Sequence, residues 1–190
     1  AYDEVLILER DTLPETGKGR KGIPQGPHVH ALMSRGGTIL EAQFPGIIDE
    51  LVDCGALRAD LVAARRWYQH GGYHLDARSG LRGLAMTRPL IEGIIRERVR
   101  ALPNVVIQER TAVKGLLATA DRSRVTGARI SEGPDYTDSG DIPADLVVDA
   151  SGRGSHLPAW LQTRGFDAPG ERRSGVPTHY ASRFFRRRPG

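Results

Sequence analysis

An α/β domain is the fold class this sequence predicts, and three features carry the prediction. A continuous apolar run, Val5–Glu9, ends on an acidic residue and reads as a buried strand. Leu90, Ile91, Ile94, Ile95 and Val99 recur at three- and four-residue steps, the mark of a helix burying one face. Strand, helix and strand then alternate, and a meander and one more strand follow, which is the rhythm of an α/β chain.

The elements follow in order. Thr12–Pro27 is rich in Gly and Pro and shows no apolar period, so it is predicted to be a loop. Val29–Phe44 is predicted to be helical, because Val29, Leu32, Met33, Gly36, Ile39, Leu40 and Gln43 fall at helical steps. Pro45-Gly46 breaks it, and Ile47–Cys54 restarts a short helix that stops at Gly55. Trp67–Tyr73 and Leu81–Met86 flank the turn-rich "DARSG" and predict a β-hairpin. Pro89 suits the first turn of the helix Leu90–Ala101. Strands are predicted at Val105–Gln108, at Val113–Ala118 with a partner after a polar turn, and at Leu146–Asp149. A further helix begins within Ser155–Leu161.

The bulk numbers set limits. The chain has 190 residues, 39% hydrophobic and 26% charged, which argues for a folded domain. No apolar run approaches the roughly 18 residues of a membrane span. Glu9, Arg10 and Asp11 interrupt the first apolar run, so no secretory signal is read there, and a cytoplasmic setting is the expectation. One cysteine, Cys54, excludes an internal disulfide framework and a Cys-rich zinc site. The net charge is +4, and the run "RFFRRRPG" with Arg183, Arg186, Arg187 and Arg188 is too short a footprint for nucleic-acid binding.

Three places carry chemistry. Glu9 ends its strand as a ribose-binding carboxylate would, or as a solvated turn residue. Such a carboxylate normally follows a glycine fingerprint by about 20 residues, and only eight residues precede Glu9. The loop "GRKGIPQGPHVH" supplies Arg20 and Lys21, with Gln25, His28 and His30 where a helix is expected to start. That combination suits a phosphate, or else is a surface loop. His28 and His30 would diverge on a helix and have no third ligand, so no metal is expected. In "DLVVDASGRGSHLP" a strand ends at Asp149, and Gly152 and Gly154 open a small-residue turn before a helix that Ser155 can cap. That is phosphate- or ribose-binding architecture, or a plain tight turn, and it lacks the G-x-S-x-G order of a nucleophile elbow. Arg88 precedes its helix as either a cap-region residue or a phosphate ligand.

Four pieces in this order, "VLILERD", "RKGIPQGPHVHALMSRGGTILEAQFPG", "TRPLIEGIIRERV" and "ADLVVDASGRGSHLPAWL", resemble the flavoprotein monooxygenases of the aromatic-hydroxylase type. The nearer likeness is to the branch that includes polyether epoxidases. The resemblance covers most of residues 4 to 165. It implies a partial FAD-binding domain of the Rossmann-like, glutathione-reductase type, with a β-meander and part of a β-rich substrate domain. The implied division is 1–62 and 88–171 as two parts of the FAD domain, 63–87 as a hairpin of the substrate domain, and 172–190 as the start of its remainder. By resemblance Glu9 meets the adenosine ribose, Arg10 is a further cofactor-binding residue, Arg20 sits in the loop that reaches the pyrophosphate side, and Arg88 contacts FAD. Val113 lies on the strand that meets adenine, Gly152 belongs to the second nucleotide motif, and Gln25, His28 and His30 lie near the flavin. That second motif usually reads Asp-Gly, and Ser151 stands here in place of the aspartate.

The implied activity is a monooxygenase that hydroxylates or epoxidises a small apolar organic substrate through a flavin hydroperoxide, with NAD(P)H as reductant. No protein group is implied as the catalytic one. A flavin-dependent reductase on the same scaffold and a truncated non-catalytic remnant are the alternatives. The family's glycine-rich loop and its later Gly-Asp motif have no match in the sequence. The expectation is therefore a fragment of a longer enzyme, inactive by itself.

Overall fold

The computed structural model describes residues 2–133, 135–167, 170–172, 174–183 and 185. In chain order the elements are β1 (Val5–Leu8), β2 (Val29–Leu32), α1 (Ser34–Gln43), α2 (Ile47–Asp53), β3 (Leu57–Asp60), β4 (Tyr68–Gln69), β5 (Gly72–Tyr73), β6 (Arg82–Thr87), α3 (Arg88–Arg100), β7 (Val105–Gln108), β8 (Thr111–Ala118), β9 (Val125–Glu132), β10 (Asp138–Pro143) and α4 (Leu157–Thr163). Contacts divide the chain into two compact units. The first is Ala1–Leu13 with Asn104–Thr178, and the second is Pro14–Pro103 with His179–Gly190. Among the described residues no helix is long and apolar enough to cross a membrane.

The second unit holds the larger core. Its sheet is antiparallel in the order β2-β6-β3. Ile47, Leu51, Ala56, Leu84 and Ile94 are buried together, with Leu40, Phe44, Met86, Leu90, Ile91 and Ile95 packed around them. The apolar stripe read from the sequence is thus the buried face of α3. Thr87 caps that helix by accepting a hydrogen bond from the Leu90 amide at 3.4 Å, Pro89 lies in the first turn, and Arg98 and Arg100 lie in the last. Arg98 Nε donates to Glu50 at 2.7 Å and so ties α3 to α2.

In the first unit β1 and β7 pair in parallel with Val5 opposite Val105. Beside this lies the antiparallel meander β10-β9-β8. Its small core is Ala112, Leu116, Ala128 and Ile130, with buried Thr111 and Ser131. Gly127 is required where β9 meets β10. Its φ is +154°, and a Cβ there would lie 2.1 Å from the Ile142 carbonyl oxygen.

Three expectations are corrected. Val29–Phe44 is not one helix. Val29–Leu32 is a strand antiparallel to β6, with His30 and Leu32 half-buried and Val29 and Ala31 exposed, and α1 starts only at Ser34. Four residues of period two won over the longer helical pattern because β6 offered a ladder.

Trp67–Tyr73 and Leu81–Met86 do not pair with each other. β4 and β5 close on themselves at His70 and Gly71, whose φ values of 53° and 85° suit a two-residue hairpin turn. That turn places Tyr68 opposite Tyr73. Trp67 stacks on His74, with ring centroids 5.5 Å apart. β6 is drawn to β3 by the Asp60 carboxylate, which accepts from the amides of Val62, Ala63, Ser79 and Gly80 and from the Ser79 hydroxyl.

Leu146–Asp149 is not a strand and is not buried. It pairs with no strand among the described residues, and Leu146 and Val148 are 55% and 75% exposed. An apolar run becomes a strand only where a neighbouring strand accepts its backbone groups, and among the described residues the parallel sheet of this unit contains β1 and β7 alone. The last helix begins at Leu157, within the expected stretch Ser155–Leu161, after a single 3-10 turn at Gly152–Gly154. β3 and β10 are strands that the sequence pattern did not announce. Of the terminal arginine run, Arg183 is described, and Arg186, Arg187 and Arg188 lie outside the described residues.

Candidate functional site

In the first unit the Glu9 carboxylate sits just past β1, half-buried, and accepts a hydrogen bond from the Asp11 amide at 3.0 Å. The Glu9 backbone continues the ladder, donating to Gln108 at 2.9 Å and accepting from Thr111 at 3.0 Å. Glu9 thus acts as a turn organiser at a strand end. Arg10 is exposed and lies 3.8 Å from the Asp11 carboxylate. Val113 faces Ile130 across the β8–β9 ladder, and a bulge follows at once, before Gly115.

Gly152 has a φ of +72°, which explains a glycine at that turn. The Asp149 carboxylate accepts from the Ser151 hydroxyl at 2.6 Å and amide at 2.9 Å, and from the Ser155 hydroxyl. The Ser151 hydroxyl first, then that of Ser155, lowers its pKa below the usual carboxylate value. Ser155 in turn accepts from the Leu157 amide at 3.0 Å, as a cap would. Ser151 and Asp149 are therefore occupied with each other in holding the turn.

The second unit brings the basic candidates together. Arg20 Nε donates to Glu92 Oε1 at 2.7 Å, and Arg88 Nε lies 3.7 Å from Glu92 Oε2. Glu92 is on α3 one turn beyond Arg88, and Arg96 is one turn further. Arg96 also donates to the Pro14 carbonyl. Pro14, Lys18, Gly19, Arg20, Ile23, Gly26, Arg88, Pro89, Glu92 and Arg96 line one cleft at the N-terminal half of α3. Four of these side chains are cationic and one is anionic. The Nε atoms of Arg88 and Arg96 are buried and make no hydrogen bond. A buried N–H without a partner is costly, so this is a surface prepared for an acceptor.

The expected helix start after His28 is replaced by β2, so the helix N-terminus beside this loop is that of α3 and not α1. The loop is held there by close approach. The Gly17 amide faces the Pro89 carbonyl at 3.4 Å, and Gly93 leaves no room for a side chain against Thr16.

Arg88 also lines a second cavity, of about 190 Å³, with His30, Ala31, Leu32, Met86 and Ile91. His30 Nδ1 is buried there without a hydrogen bond. His30 and Arg88 are thus neighbours of one mostly apolar space. His28 is not brought there. It points away to Ser182, 2.9 Å from Nδ1, with the Tyr180 ring 6.5 Å off. Gln25 lines neither cavity, is exposed, and accepts from the His28 amide through its backbone at 3.1 Å. Among the described residues no group of three or more His, Cys, Asp or Glu side chains is placed to hold a metal.

Glu92, Arg96 and Lys18 were not singled out from the sequence. The signal was present: Arg88, Glu92 and Arg96 are spaced four apart in a stretch already read as helix, and so form one stripe.

The geometry is a cleft with four cationic side chains and one anionic side chain on a mixed α/β scaffold. No protein-family model matches the sequence. Among curated proteins the chain is 34% identical to "Protein Rv3254" of Mycobacterium tuberculosis over an alignment of 192 residues. That match takes in 97% of this chain and 40% of that protein's length. Among solved structures it is similar to p-nitrophenol 4-monooxygenase PnpA from Pseudomonas putida, with a TM-score of 0.59, 20% identity, and coverage of 83% of this chain and 37% of that one. It is also similar to aklavinone-11 hydroxylase, crystallised as a ternary complex with FAD and aklavinone. There the TM-score is 0.54 at 20% identity, over 84% of this chain and 30% of the hydroxylase. The α/β fold expected from the sequence is the observed one, and it corresponds to a part of the fold of these two monooxygenases.

Proposed function

We propose that the chain is part of an FAD-dependent monooxygenase, and that the cleft of its second unit holds phosphate of the dinucleotide. The observation that carries this reading is the buried Arg88 Nε, which makes no hydrogen bond and lies 3.7 Å from the Glu92 carboxylate, in a cleft with four cations and one carboxylate beside a helix N-terminus. The fold shared with two monooxygenases supports the cofactor class. In this reading Arg20 and Arg88 bind pyrophosphate oxygens, and His30 and Met86 line the apolar space beside them. Glu9 is assigned to the adenosine ribose and Val113 to adenine, with Arg10 and Gly152 as further cofactor-binding residues. FAD, when bound, supplies the oxygen-activating chemistry, with NAD(P)H as the electron source. The chain's own residues bind and orient it, and the apolar walls keep water out. The substrate is a small apolar organic molecule, and the setting is cytoplasmic.

The test is a titration of FAD into the protein and its Arg88 variants. Loss of one charge-assisted hydrogen bond in Arg88→Ala should weaken binding by roughly tenfold. Arg88→Lys should recover only part, because an ammonium lacks the planar fork. Equal affinity of wild type and Arg88→Ala would remove the basis of the reading.

A further inference from the structure

Among the described residues Glu92 is the one anionic side chain in a cleft whose lining includes the cations Lys18, Arg20, Arg88 and Arg96. Its two oxygens are directed at two different guanidinium groups. One accepts from Arg20 Nε at 2.7 Å, and the other lies 3.7 Å from Arg88 Nε. The Glu92 and Arg20 side chains are 21% and 25% exposed, so this pair is screened less than a surface one. The enclosed part of the cleft is about 10 Å³, room for about one water, so a phosphate would rest across its mouth.

We infer that Glu92 selects the charge of the phosphate this cleft accepts: it orients Arg20 and Arg88, and its negative charge disfavours a free terminal phosphate relative to a pyrophosphate diester. The inference rests on the phosphate reading of the cleft and adds to it a residue and a specificity. A diester pyrophosphate carries one charge on each phosphorus. A terminal phosphate has a second ionisation near pH 6 and so carries nearly one more at neutral pH. At a separation of about 6 Å, the Glu92 carboxylate would oppose that additional charge by the equivalent of roughly threefold in affinity even at the dielectric of water, and by more at lower dielectric. Without Glu92 the cleft would attract anions more strongly and distinguish them less.

ADP-ribose and ADP form the probe pair. They share adenosine and a pyrophosphate and differ in whether the second phosphate is esterified. Calorimetric titration of both, in magnesium-free buffer, is carried out on the full chain as wild type, Glu92→Gln, Glu92→Asp and Arg88→Ala. Glu92→Gln keeps an oxygen that can accept from Arg20 Nε but loses the charge. It should shift the ADP to ADP-ribose affinity ratio toward ADP by about threefold or more. Glu92→Asp keeps the charge and should leave the ratio near wild type. Arg88→Ala should weaken both ligands alike.

An unchanged ratio in Glu92→Gln, with both ligands weakened in Arg88→Ala, would overturn the selectivity role and leave the phosphate cleft standing. Binding insensitive to Arg88→Ala, or no binding of either ligand, would overturn the cleft reading itself. Thermal melts accompany each variant, and Glu92→Ala serves as a second charge-removing change. Failure of both Glu92→Gln and Glu92→Ala to fold would make Glu92 a structural residue and would also overturn the selectivity role.

Discussion

Replacing Gly93 by alanine sets two known effects against each other. Gly93 is buried in α3, and an added Cβ would lie 2.7 Å from both Cα and Cγ2 of Thr16 and 2.9 Å from its Cβ. Carbon atoms prefer about 3.5–4.0 Å, so the segment around Thr16 must retreat by roughly 1 Å. It cannot do so by rotating a side chain, because the Thr16 backbone is itself in contact. Overpacking of this kind costs about 1–3 kcal/mol. Alanine in a helix interior recovers about 0.8–1 kcal/mol relative to glycine. The clash should win by about 1 kcal/mol, which lowers the melting temperature by about 2–4 °C for a chain of this length. Thr16 precedes Lys18, Gly19 and Arg20, all in the cleft lining, so the retreat also displaces these groups from Glu92 and Arg88. ADP-ribose binding should fall severalfold, because misplacement by about 1 Å degrades a hydrogen-bonded site. Melting followed by circular dichroism, with calorimetric titration on the same sample, reads both effects. A higher melting temperature with unchanged binding would refute the reasoning, since the helix gain alone would then account for the variant.

Leu51 is fully buried in the core of the second unit, and Leu51→Ala should destabilise it by about 2–5 kcal/mol in chemical denaturation. A loss below about 1 kcal/mol would mean that this cluster is not the core. Asp60→Asn tests what holds β6 to β3. The amides of Ala63 and Val62 first, then Ser79 and Gly80, hold the Asp60 carboxyl well below the usual carboxylate range. A depressed folded pKa gives stability that is complete above the unfolded value near pH 4 and is lost as pH falls further toward the folded value. Asp60→Asn should therefore melt lower than wild type at pH 7, with the difference shrinking below about pH 4. A difference independent of pH would separate the loop from the charge on Asp60.

Legibility in the sequence followed the nature of the interaction. α3 was legible because Leu90, Ile91, Ile94 and Ile95 report burial of one face directly, and that face is the one that packs. β1, β7 and β8 were legible as apolar runs of strand length. β2 was missed because Val29–Leu32 fits both periods over four residues, and only its partner β6 decides between them. The Leu81–Met86 segment was assigned the wrong partner because the deciding interaction, Asp60 gathering amides some 20 positions away in sequence, leaves no local pattern. Leu146–Asp149 shows the reverse case, a strand-like run without a neighbour to complete it. Of the site, Arg20 and Arg88 were named separately, and their meeting over Glu92 is a tertiary fact. His28 and His30 looked equivalent in sequence. Strand alternation sends neighbours two apart to one face, and β2 begins only at Val29, so His28 lies outside the strand and turns toward Ser182.

The central claim is that FAD phosphate meets Arg88. The most direct measurement is the NMR signal of the Arg88 Nε–H, assigned by its disappearance in Arg88→Lys and followed while FAD is added. Arg88 Nε makes no hydrogen bond in the protein alone, so a phosphate gripping the guanidinium should move this resonance strongly and saturably, together with that of Arg20. Excess ADP-ribose, whose pyrophosphate occupies the same cleft, should keep both resonances shifted while it displaces the flavin. Saturable FAD binding with the Arg88 and Arg20 resonances unmoved would contradict the claim and place the dinucleotide elsewhere on the chain.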